Sequence, residues 1–148
     1  MEKVKIKIQK LYEKDIPLPC YMTEHSAGMD IFACLDKDII IKPGERKLIK
    51  TGIAIAIPQG YEAQIRPRSG LALKYGLTLL NSPGTIDADF RGEIGIILIN
   101  HGSKPYKLKR MERIAQMVIS RVVRADLDLT DKLPESKRGK GGFGHTGV

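Results

Sequence analysis

Tryptophan is absent from this chain of 148 residues, cysteine occurs twice and histidine three times. Each scarcity closes off a class of protein. Cys20 and Cys34 belong to no CxxC pair, and two thiols make no disulfide framework, so a reducing, cytoplasmic setting is expected. His25, His101 and His145 stand far apart without ligand spacing, which argues against a structural zinc site. No apolar run approaches the length of a membrane span. The early "KVKIKIQKL" alternates with lysine where a signal peptide would carry an unbroken apolar stretch. A basic helix and a zinc-finger spacing are missing too. The net charge of +8, spread along the chain, therefore points to a phosphorylated small molecule as partner, with no nucleic acid and no membrane.

What is present is one strand after another. Val4, Ile6 and Ile8 alternate with Lys3, Lys5 and Lys7, the period of a half-buried strand with a lysine-rich outer face. "IIIKPGERKLIKTGIAIAIPQG" reads as strand, Pro43-Gly44 turn, strand, and a second turn at Pro58-Gly60. "YEAQIRP", "EIGIILIN" and "RIAQMVISRVV" supply three more strands. The one helical piece is "SGLALKYG", 69 to 76, with Ser69 placed to cap it and Gly76 to end it. The expectation is an all-β fold, a jelly-roll-like barrel or sandwich with one short helix. A single core domain is expected over residues 1–123. Residues 124–148, charged and then glycine-rich, form a flexible C-terminal arm of the same domain.

Three stretches hold more glycine and polar groups than sheet building requires. In "IRPRSGLA", Arg68, Ser69 and Gly70 bring a guanidinium, a hydroxyl and accessible N–H groups to a strand-to-helix junction, a combination suited to phosphate. A capped turn with a solvated arginine is the plainer account. In "LLNSPGTIDADFRGEIG", Asp87 and Asp89 share a face if the chain is extended, as a magnesium pair or with one carboxylate as general base. The plainer account is a polar turn with Phe90 plugging the core. Asn81 offers both donor and acceptor, as a base edge requires. The tail "KRGKGGFGHTGV" lacks P-loop spacing, yet it carries N–H groups, the Thr146 hydroxyl and Phe143, a ring able to stack on a nucleobase. Together these stretches converge on a nucleotide site, with magnesium brought by the phosphates.

Five segments, in order, resemble the five motifs of the trimeric deoxyuridine triphosphatase (dUTPase) family: "AGMDIFA" (27 to 33), "PRSGLA" (67 to 72), "NSPGTIDADFRGE" (81 to 93), "RIAQMVI" (113 to 119) and "RGKGGFGHTG" (138 to 147). The similarity covers nearly the whole chain. It implies a jelly-roll-like subunit, a homotrimer with shared active sites, and Mg2+-dependent hydrolysis of dUTP to dUMP and pyrophosphate. The metal is expected on the triphosphate and waters, with no direct protein ligand. By the same resemblance Asp87 is the catalytic carboxylate that activates the attacking water. Asn81 and the backbone of Gly84, Thr85 and Ile86 read uracil. Arg68, Ser69 and Gly70 hold phosphate, Gln116 lies near the α-phosphate, and Asp30 supports the site's arginines and the metal's water shell. Arg138, Gly144, His145 and Thr146 grip the γ-phosphate, and Phe143 stacks over uracil. Phe90 stands where the family often has tyrosine, so contact with deoxyribose is kept and the hydroxyl is lost. The alternative with a shared fold is a dCTP deaminase, monofunctional or bifunctional. It would need a glutamate placed for deamination and usually lacks the complete closing motif.

Overall fold

The computed structural model describes residues 3–13 and 15–144. Twelve short strands and one helix make up its regular structure: β1 (Lys7–Lys10), β2 (Cys20–Tyr21), β3 (Met29–Phe32), β4 (Ile39–Ile41), β5 (Arg46–Lys50), β6 (Ile53–Ala56), β7 (Tyr61–Arg66), α1 (Ser69–Tyr75), β8 (Leu77–Leu79), β9 (Gly84–Ile86), β10 (Gly95–Asn100), β11 (Tyr106–Leu108) and β12 (Arg113–Arg121). They form a five-stranded sheet ordered β2-β3-β12-β7-β9, a three-stranded sheet β5-β10-β8, and the pairs β1-β6 and β11-β4. All pairings are antiparallel, and only β2 and β3 are neighbours in both sequence and sheet. The fold is a jelly-roll-like sandwich with a single short helix.

The core is largely isoleucine. Ile31, Ile41, Ile49, Ile53, Ile96 and Ile114 are almost wholly buried, each contributing on the order of 1.5–3 kcal/mol by leaving water. β-branched side chains suit this role because they fill the space between pleated layers with little rotamer freedom to lose. Asn100, fully buried, ties strands of two sheets together. Its amide donates to Ile41 O (3.0 Å) and Lys104 O (2.9 Å), and its oxygen accepts Gly102 N–H (2.8 Å). A buried amide is tolerated because its hydrogen-bonding capacity is met.

Two local expectations change. The alternating lysine segment forms a strand only over Lys7–Lys10, and all four of those residues are exposed. β1 pairs with β6 alone, and Ile8, 40% exposed, lines a shallow cavity with Leu18, Pro19, Met29 and Met117. Ser69 is not the helix cap. It is the first helical residue, while Arg68, extended at φ −91° and ψ 126°, occupies the cap position without a side-chain cap bond. Gly76 does end the helix, at φ 70°, and its N–H reaches the carbonyls of Ala72 and Leu71. Only glycine fits there, since an added Cβ would lie 2.5 Å from Gly102 N.

Candidate active site

The buried carboxylate of Asp30, on β3, organises one half of the site. Asp30 is 2% exposed, and a charge so placed must be paired. Arg113 Nη1 donates to Oδ2 at 3.0 Å, Arg68 Nε lies 3.7 Å from Oδ1, and Gln116 Nε2 makes a long contact with Oδ1 at 3.4 Å. Arg68 Nη1 also donates to the backbone carbonyl of Arg113 at 2.9 Å. Both arginines keep part of their side chains at the surface, 24% for Arg68 and 40% for Arg113. Two guanidinium groups are thus held by one carboxylate and leave a net positive charge facing outward. Gly28 leaves room for the amide: a Cβ there would sit 3.3 Å from Gln116 Cβ. Beside Arg68, Ser69 and Gly70 are exposed at the start of α1, and nothing lies within 4 Å of a Cβ built on Gly70.

The other half is a cavity of about 260 Å3 whose lining includes Asn81, Gly84, Thr85, Ile86, Phe90 and Glu93. That is just below the ~300 Å3 at which small-molecule sites usually begin. Its wall is β9, entered through a cis Ser82–Pro83 bond. After β9 the chain turns, with Phe90 N–H donating to Asp87 O at 3.1 Å. Arg91 Nη1 braces this turn through the carbonyls of Ala88 (2.6 Å) and Phe90 (2.8 Å). Because the segment turns, Asp87 and Asp89 do not form the extended i, i+2 pair that the sequence suggests. Phe90 is 40% exposed and lines the cavity, so it does not plug the core. Asp87 is exposed, and its carboxylate has no hydrogen-bond or ion-pair partner among the described residues.

The five-stranded sheet links the two halves, while Leu48, Leu79, Gly95 and Ile97 of the three-stranded sheet supply the cavity's other side. Asp30 pairs across to Gln116, and Gln116 to Arg66. One step along the strands, Met117 pairs with Ile65 and Ile65 with Gly84. β3 and β9 are three strand spacings apart, roughly 14 Å at the usual separation. Among the described residues, those after β12 do not join either half. Residues 121–140 are exposed, and among the described residues Arg138 Nε bonds to the nearby Gly141 O at 2.8 Å. Phe143, at φ 49°, and Gly144 are exposed. His145 and Thr146 lie outside the described residues.

Two residues escape a reading of the sequence. Arg113 stands three positions before Gln116, which in a regular strand would place them on opposite faces. A register shift between Arg113 and Ala115 adds one residue and brings both onto Asp30. No glycine or proline marks that bulge. Glu93 is the second. Its carboxylate accepts Gly52 N–H (2.9 Å) and the Tyr12 hydroxyl (2.8 Å), with Lys50 Nζ 3.9 Å away, and so ties the cavity wall to the N-terminal segment.

A metal would find no ready ligand set here. No group of three or more His, Cys, Asp or Glu able to hold an ion occurs among the described residues. Both Asp30 oxygens are taken by nitrogen donors.

Known proteins resemble this chain over nearly its whole length. The deoxyuridine 5'-triphosphate nucleotidohydrolase of Syntrophotalea carbinolica is 55% identical over 147 residues, 99% of both chains. That of Thermoanaerobacter sp. is 57% identical over 144 residues, 97% of both. Among solved structures, the dUTPase of Staphylococcus bacteriophage 80alpha with dUpNHpp superposes with a TM-score of 0.87 at 27% identity, covering 97% of this chain and 99% of that one. The dUTPase family as a whole matches residues 14–147, and with relatives this similar across nearly its full length the chain belongs to the dUTPase family.

Proposed function

We propose that this protein is a dUTP diphosphatase, hydrolysing dUTP to dUMP and pyrophosphate. The observation that carries the assignment is the pair of partly exposed arginines held by buried Asp30, joined through one sheet to the β9 wall of a cavity, in a chain of this family. In this reading the cavity takes the nucleoside. The Asn81 amide and the backbone of Gly84, Thr85 and Ile86 meet the uracil edge, while the Phe90 ring packs against deoxyribose.

Asp87, exposed and next in sequence to the cavity-lining Ile86, takes a proton from a water as its oxygen attacks the α-phosphorus. The bond from that phosphorus to the bridging oxygen breaks, and pyrophosphate leaves with the electron pair. Arg68, with Ser69, Gly70 and Gln116, opposes the charge growing on the leaving group, the usual source of phosphoryl-transfer catalysis. Magnesium, bound to the triphosphate, would neutralise phosphate charge. Arg138, Gly144, His145 and Thr146 grip the γ-phosphate, and Phe143 covers the base when the C-terminal segment closes. Such closure excludes water and strengthens every charge interaction beneath it.

The protein acts, in this reading, as a homotrimer with three shared sites, and a separation of about 14 Å between β3 and β9 leaves room for a second subunit to complete each one. None of the described helices is long and apolar enough to cross a membrane, and the low cysteine content fits a cytoplasmic enzyme. Pyrophosphate release from dUTP, dCTP, dTTP and UTP, with and without Mg2+, tests the assignment. Strong preference for dUTP is expected. Ammonia release from dCTP would instead establish the deaminase alternative.

A further inference from the structure

The turn Arg68–Ser69–Gly70 is held from two sides, and both supports lead to Tyr106. On one side, Arg68 rests on the Arg113 carbonyl and shares Asp30 with the Arg113 side chain. The residue before Arg113 is Glu112, whose Oε1 accepts the Tyr106 hydroxyl and whose Oε2 accepts Lys109 N–H at 2.9 Å. Between them Met111 adopts φ 55°, a left-handed conformation that a Cβ disfavours, with its N–H bonded to Ala33 O at 3.0 Å. The Glu112 clamp thus spans a strained turn directly before the bulge that aims Arg113. On the other side, α1 begins at Ser69 and ends at Tyr75, whose ring lies 4.9 Å from the Tyr106 ring at 60°. Tyr106 itself is anchored, since β11 pairs with β4 and the neighbouring Leu108 is fully buried.

We propose that Tyr106 and Glu112 are positioning residues for the triphosphate, setting Arg68 through Arg113 and setting Ser69 and Gly70 through α1. The inference rests on the dUTPase reading of the site and adds residues that touch no ligand. The phenol is suited to a fixed donor role. Burial, and then the bond to Glu112, push its pKa above the ordinary tyrosine range, so it keeps its proton at any working pH. Because both supports converge on the phosphate turn and neither reaches β9, loss of Tyr106 or Glu112 should weaken phosphate contacts and spare the nucleoside cavity.

Affinities for dUpNHpp and for deoxyuridine, measured on the full chain and on Tyr106→Phe, test this. The variant should bind dUpNHpp about fivefold more weakly, the scale of one hydrogen bond in a charged network, with deoxyuridine binding unchanged. Glu112→Gln, which keeps an acceptor for Tyr106 but offers Lys109 N–H none, should give a smaller loss of the same kind. It also serves should Tyr106→Phe fold poorly. A ratio of the two affinities equal to wild type in both variants, with only thermal stability lowered, would overturn the proposal. Wild-type protein that bound deoxyuridine but not dUpNHpp would overturn the dUTP reading itself, and this proposal with it.

Discussion

The Asp30 cluster and the C-terminal segment are both assigned to the triphosphate, yet they are built in opposite ways. Around Asp30 the arginines and glutamine are spaced by sheet register and held by one another before any ligand arrives. Arg138, Phe143 and Gly144 are exposed, and the bonds near them are local, such as Gly141 N–H to Arg138 O at 3.1 Å. The first region binds with little ordering left to do. If the second closes on the substrate as proposed, it loses backbone freedom at roughly 1–2 kcal/mol per residue, and more at its glycines. Division of this kind lets a rigid half select the substrate while a second half responds to it.

Separating stability from activity is the way to sharpen that contrast. Deleting residues 138–148 should lower kcat/KM by about a hundredfold or more while shifting Tm by less than about 2 °C, since exposed segments contribute little to the fold. Equal losses of activity and Tm in that deletion would erase the distinction. Asp30→Ala should do both kinds of damage. Two partly exposed arginines lose their buried partner, which costs about 2–3 kcal/mol and about 5–10 °C in Tm, and kcat/KM should drop by about tenfold or more. Calorimetry alongside steady-state kinetics reads both.

Phe143→Ala should raise KM by about tenfold through lost base stacking, with no change in Tm, because the ring is fully exposed among the described residues. Phe90→Tyr should have the smallest effect. It restores the hydroxyl common in the family and should change kcat/KM by less than about threefold, the worth of one exposed hydrogen bond. A tenfold change there would mean that the ring's hydroxyl position, not its face, sets the fit of deoxyribose.

The strands around Ile53, Tyr61, Gly95 and Arg113 were legible because β-branched runs stopped by glycine and proline mark where extended chain begins and ends. Partnership between them was not. Pro43-Gly44 lies between β4 and β5, yet β4 pairs with β11 and β5 with β10. Turn chemistry reports a change of direction over a few residues, whereas pairing depends on burial across the whole chain. The short strands β8, β9 and β11 carry too few residues to show a period.

At the site, the five motifs placed Asp30, Arg68, Asn81, Asp87 and Gln116 by resemblance, and the residue types alone suggested a nucleotide. By itself the sequence determined an all-β chain rich in core isoleucine, its family, and a positively charged, glycine-rich set of ligand-binding types. Only the tertiary structure decided that Asp30 is buried beneath two arginines, that a bulge turns Arg113 onto it, and that Phe90 lines a cavity. Side-chain identity is local information. A carboxylate's partners, and the face a residue presents after a one-residue bulge, are set by strands that meet from more than 80 positions away.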